Sequence, residues 1–146
     1  MSERTALESG KASPMTADTR QQVYRVQAED GRGPWRPGFS HRWIDGDAPA
    51  DRLTETIMDL MPIAQLSSLP RTMHYGCACR SLDGLLRWFT PIERERLERF
   101  GFYPVRLSVD RVLVESPWQM LIGRELPFAV GASRLRWTQK SLVEGR

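Results

Sequence analysis

Lysine is nearly missing from this chain: Lys11 and Lys140 stand against nineteen arginines in 146 residues. Its cationic charge therefore sits almost wholly on guanidinium groups, which stay protonated and meet carboxylates and phosphates through a planar fork. The bland source of such a bias is a GC-rich genome. Clustering is missing too, since the basic residues are spread along a chain of net charge +3 and pI near 9.2. That pattern excludes a basic tail and leaves only weak general attraction to polyanions. Cysteine is limited to Cys77 and Cys79, too few for a disulfide framework. As C-x-C in an expected strand, the two thiols share one face and read as reduced and half-buried. A zinc site would need a second Cys/His pair, and His41 and His74 do not supply the usual spacing. Long apolar runs are lacking: no window approaches the roughly 20 residues that span a bilayer, and no apolar run opens the chain. The expectation is a cytoplasmic protein without a membrane segment, and no internal repeat is evident.

What is present fits one core. Residues 1–21 are poor in large apolar side chains and are expected to form a tail, with residues 22–146 as a single α+β domain. Met15 lies inside that tail and is a second possible start. Gln22 to Ala28 has strand composition, with Val23, Arg25 and Gln27 on one face and Tyr24 and Val26 on the other. The stretch from Glu29 to Trp43 is broken by Gly31, Gly33, Pro34, Pro37 and Gly38, which predicts a long loop pinned by Trp35, Phe39 and Trp43.

Asp51 to Met61 carries Leu53, Ile57, Leu60 and Met61 at helical spacing and is stopped by Pro62. Thr72 to Cys79 reads as a strand, after which Ser81 is placed to cap a helix over SLDGLLRWF. Thr90-Pro91-Ile92-Glu93 is a capping box with Pro at the first helical position, and Gly101 is a suitable terminator. Four strand candidates follow, FYPVRLSVD, RVLVES, WQMLIGR and FAVGASRLRW. Short helices in the first half and a strand-rich second half give an α+β class.

The segment from Glu115 to Val130, ESPWQMLIGRELPFAV, sets a polar Gln119 at the entrance of an apolar strand. With Tyr24-Arg25 on the first strand and Ser81 at a strand-to-helix turn, this order resembles the ADP-ribosyltransferase family over roughly Val23 to Val130. In the arginine-type branch an Arg on the first strand contacts the pyrophosphate or ribose of NAD. A Ser-Thr-Ser strand end supports the site, and a Glu opens a later strand that runs into a polar turn and Phe-x-Val. The resemblance implies an ADP-ribosyltransferase-like fold with NAD as cofactor. Arg25, Tyr24 and Ser81 would contact the cofactor, as would His74 by analogy with a branch that uses a strand His. Gly31 to Trp35, GRGPW, is also similar to a stretch in small phage and bacterial proteins with this motif order.

The chemistry explains the residue types. Cleavage of the nicotinamide–ribose bond builds positive charge on the sugar, which a carboxylate at the ribose stabilises, while an Arg fork holds the diphosphate. Gln119 stands where the resemblance calls for that Glu. Loss of a preorganised charge of this kind costs about a hundredfold to a thousandfold in rate. Glu115, four residues earlier, is the alternative carboxylate if the chain folds back at Ser116-Pro117.

Each residue also has a plainer reading. Ser81 is an N-cap, His74 a strand-edge side chain, and Arg25 a partner for a buried carboxylate such as Asp83. Gly31-Arg32-Gly33 is either an anion-binding nest or a turn that needs positive φ. The five tryptophans are stacking platforms or core anchors. Three functions follow: an NAD-dependent transferase acting on a protein or nucleic acid, a non-catalytic phage or mobile-element module engaging a host protein, and a basic nucleic-acid binder.

Overall fold

The computed structural model describes residues 20–35, 38–46 and 57–138. Strand β1 is Gln21–Gln27, and a short 3-10 helix spans Ser40–Arg42. Helices α1 (Ile57–Leu60) and α2 (Ile63–Ser67) precede β2 (His74–Ala78), α3 (Leu82–Trp88) and α4 (Pro91–Arg99). Strands β3 (Tyr103–Val109), β4 (Arg111–Glu115), β5 (Met120–Arg124) and β6 (Ser133–Arg134) complete the order. The fold is a mixed α+β one, as the element pattern implied.

Two antiparallel three-stranded sheets form, β1-β3-β6 and β2-β5-β4. A single residue pair joins them: Tyr24 and Cys79 exchange both backbone hydrogen bonds, at 2.8 and 2.6 Å. The six strands thus run 4-5-2-1-3-6, and beyond that pair β1 and β2 part like a fork. The alternation in β1 places Val23, Arg25 and Gln27 inside as expected, and Val26 and Ala28 are buried as well. Both faces of β1 are covered because the helices pack on one and the second sheet on the other. One core cluster joins Val26 to Trp43, Leu82, Leu85, Trp88 and Leu97; the other joins Val23 to Val105, Leu107, Met120 and Ile122.

Local chemistry sets the helix ends. The Ser81 hydroxyl accepts from Gly84 N at 3.1 Å at the start of α3. Thr90 and Glu93 exchange the reciprocal bonds of a capping box with Pro91 at the first turn of α4, and Gly101 ends it at φ +87°. Edge-to-face rings fix the long loop: Trp35 and Trp43 lie 4.6 Å apart, and Phe39 sits 5.3 Å from Phe100.

Four expectations change. Of the helix over Asp51–Met61, Ile57–Leu60 is helical, while residues 51–56 lie outside the described residues, as does the tail up to residue 19. Pro62 does more than stop that helix. With φ −58° and ψ 151° it is the N-cap of α2, whose Gln65 and Leu66 amides donate to its carbonyl. The last strand shrinks from FAVGASRLRW to Ser133–Arg134. Arg124 takes the carbonyls of Leu126 and Val130, and Gly131 turns at φ +73°, so the chain forms a knot of turns where alternation suggested a strand. The tail boundary also moves, since Gln21 already belongs to β1.

Candidate functional site

Arg25 is the first residue past the pair that joins the sheets, and its side chain spans the fork. Nε donates to Gln27 Oε1 at 2.8 Å, Nη1 to the Cys77 carbonyl at 3.0 Å and Nη2 to the Gly31 carbonyl at 3.0 Å. The guanidinium lies 4.2 Å from the centre of the Phe128 ring. Gln27 in turn donates to the Phe128 carbonyl at 2.9 Å, so β1, β2 and the loops at 31 and 128 meet on one side chain. Glycine at position 76 makes this possible: a Cβ there would stand 2.6 Å from Arg25 Nη1 and 3.2 Å from the Phe128 ring.

No carboxylate pairs with Arg25 among the described residues; Asp83, the partner considered for it, is exposed on α3 and makes no bond to it. Burial pulls the Arg25 pKa down to about 10, with Arg124 adding to the effect and Cys77 opposing it. A guanidinium offers five N–H donors, and three of these are engaged. A buried cation with donors in reserve and no carboxylate partner among the described residues can receive an anionic group.

Arg25 lines a cavity of about 300 Å³ at the fork, together with Gln119, Cys77, Cys79, Trp35 and Trp88. Arg32 and Gly33 of the loop and Phe89 at the end of α3 also border it. Its walls combine rings, two arginines and one amide. That lining suits a flat ring carrying an anionic group.

The two positions that the family resemblance set on β1 and at the entrance of β5 thus come together. Gln119 is 7 % exposed and immediately precedes β5, fixed by its backbone: its carbonyl accepts from Ser116 N at 2.7 Å. The remaining residues fall elsewhere. Ser81 does not line the cavity and spends its hydroxyl as the α3 cap. The residues at the end of β2 that do line it are Cys77, Ala78 and, just past the strand, Cys79. Tyr24 packs partly buried against the helix-side core. His74 is exposed at the far end of β2, with its ring 6.3 Å from Phe128. Glu115 does not fold back to the cavity. It is tied on the surface to Arg80, whose Nε lies 2.9 Å from Oε2, and this hydrogen bond holds its carboxyl below the ordinary range.

Gly76 and Phe128 had no sign in the sequence as site residues, while Trp35 and Cys77, weighed there as a stacking platform and a zinc ligand, line the cavity instead. The C-x-C spacing already put both thiols on one face; only the fork shows that the face is a cavity wall. Among the described residues no group of three or more His, Cys, Asp or Glu could hold a metal ion, and no helix is long and apolar enough to cross a membrane.

Burial also raises the Cys79 thiol to about 12, from an ordinary value of 9.0. An acid group whose pKa is raised by folding stabilises the fold below its unfolded pKa, and that contribution is lost as pH climbs towards the folded value. Arg25 acts with the opposite sign, but only above about 10. Between the ordinary thiol value of 9.0 and about 10, the Cys79 effect is not offset by Arg25. The wild type should lose up to about 1.4 kcal/mol of stability over that pH unit in urea titrations, and Cys79→Ala should lose markedly less.

Fold and site together define a small α+β protein built around a cationic, ring-lined cavity. The chain belongs to the bacteriophage T4 Y00F protein family, whose model matches residues 15–124. This agrees with the likeness to small phage proteins at Gly31 to Trp35. The matched region includes Arg25, the loop, β2 and Gln119 through Arg124. No curated protein and no solved structure matches the chain.

Proposed function

We propose that this phage-family protein is an ADP-ribosyltransferase-like domain that binds NAD at the fork cavity without ordinary transfer of ADP-ribose. The observation that carries the reading is the meeting of Arg25 and Gln119 in one cavity, with the guanidinium buried and no carboxylate partner for it among the described residues. Arg25 supplies charge and spare donors for a phosphate or ribose oxygen. Trp35, Trp88 and Phe89 supply faces for a ring. A cavity of about 300 Å³ takes one ring and its adjoining anion, so the rest of a dinucleotide would extend past the loop rim. Gln119 offers an amide where transfer calls for a carboxylate, and Glu115 is held by Arg80.

A second reading, a non-catalytic module that engages a host protein, is favoured by the same two facts about Gln119 and Glu115. It predicts no response to NAD. Thermal unfolding with NAD separates the two: a ligand at a hundred times its Kd stabilises the native state by about 2.7 kcal/mol. The NAD reading expects Tm to rise with NAD at neutral pH, and the rise to fade as pH climbs through the Arg25 pKa of about 10. An unchanged Tm at saturating NAD would favour the second reading.

A further inference from the structure

A second concave surface lies on the other side of the aromatic wall. Phe89, which borders the fork cavity, packs with its ring centre 6.0 Å from that of Trp137. Trp137 lines an open groove of about 720 Å³ that also takes in Arg94, Tyr103, Arg134 and Arg136. Two of the arginines lie over rings: Arg134 is 3.9 Å from the centre of Tyr103, and Arg94 is 5.8 Å from that of Trp137. Arg94 is anchored by donating to the carbonyls of Phe89 at 2.9 Å and Leu86 at 2.8 Å, which holds its charge in place. Arg134 and Arg136 are exposed. The Trp137 indole N–H is buried with no hydrogen-bond partner among the described residues.

The α4 wall contributes Glu95 and Glu98, and Glu95 is paired with Arg99 at 3.1 Å. The groove therefore combines guanidinium groups, ring-backed planar faces and carboxylates. An acidic peptide would meet the arginines but leave the ring faces and the two glutamates unmatched. Unpaired bases use all three: phosphates meet the arginines, base faces stack on guanidinium and ring planes, and exocyclic amines donate to carboxylates.

We propose that the groove between α4, β3 and β6 is a binding site for single-stranded nucleic acid, independent of the fork cavity. The probe is a short fluorescein-labelled oligodeoxyadenosine, whose exocyclic amines can donate to the glutamates, followed by fluorescence anisotropy on the full chain across a salt series, with oligoadenosine as the RNA arm. Three contributing arginines give an expected slope of log K against log salt of about −2. Arg134→Gln with Arg136→Gln should weaken binding at least tenfold and flatten that slope. Tyr103→Leu should weaken binding while leaving the slope unchanged. All variants are first checked for wild-type Tm, since the two arginines are exposed and Tyr103 is only half-buried. Comparable affinity for oligodeoxyadenosine and oligoadenosine supports the site, as does a preference for either. No anisotropy change at the lowest salt overturns it, as does wild-type affinity in the double variant. Equal affinity for a duplex of the same length, or displacement by a glutamate-rich peptide, overturns it too.

Discussion

Arg25→Ala should lower Tm by about 10 °C, corresponding to about 3 kcal/mol. The Gln27 side-chain oxygen and the carbonyls of Cys77 and Gly31 would lose their shared donor, and Phe128 the cation over its ring. Relief from burying a charge, visible as the depressed Arg25 pKa, offsets part of that loss. Arg25→Lys separates fold from binding. It keeps the charge but has no fork to reach three acceptors, so it should retain about half the stability and bind NAD at least tenfold more weakly. Gly76→Ala tests the same seat from the other side, since its Cβ would displace Nη1 of Arg25. Its effect should therefore be lost NAD binding together with a lower Tm. A Tm within about 1 °C of wild type for Arg25→Ala, read by differential scanning calorimetry, would contradict the clamp role.

Glu93→Ala is expected to cost a similar amount, about 3 kcal/mol, for a purely structural reason. Glu93 is fully buried and holds two backbone amides, Thr90 N at 3.0 Å and Asp45 N at 2.8 Å. One bond closes the capping box, and the other ties the end of the long loop to α4. Truncation orphans both donors and leaves a void where a fully buried side chain stood. Glu93→Gln preserves the shape and one acceptor oxygen, so it should lie between the two. The check is the denaturant midpoint: a shift equivalent to less than about 0.5 kcal/mol for Glu93→Ala would sink this account of the loop anchor.

The contrast between these residues shows what the chain reveals unaided. Thr90-Pro91-x-Glu93 is readable because a capping box is completed within four residues, and Ser81 as an N-cap for the same reason. The second role of Glu93, on the amide of Asp45, depends on tertiary packing and has no local sign. The inward face of β1 was legible from alternation. What Arg25 does there was not, because its partners at Gly31, Cys77 and Phe128 come from three separate loops and strands. Glu115 failed in the opposite direction: a fold-back at Ser116-Pro117 was sterically conceivable, but Arg80, exposed at the end of β2, captures the carboxylate on the surface. The shortened last strand has the same origin, since the reach of Arg124 to the carbonyls of Leu126 and Val130 is invisible in a hydrophobic pattern.

The position of Gln119 is the sharpest point of the functional reading. It lies in the same cavity as a buried arginine that has no carboxylate partner among the described residues, and it has the shape of a glutamate without the charge and with a donor NH2 in place of one acceptor oxygen. A binding site with its reactive charge removed should keep affinity and lack turnover. Titration calorimetry with NAD on the wild type and on Gln119→Glu, with nicotinamide release followed on the same samples, tests this directly. The account predicts binding by both proteins and nicotinamide release by the Glu variant alone. Absence of binding by either protein at millimolar NAD would contradict it.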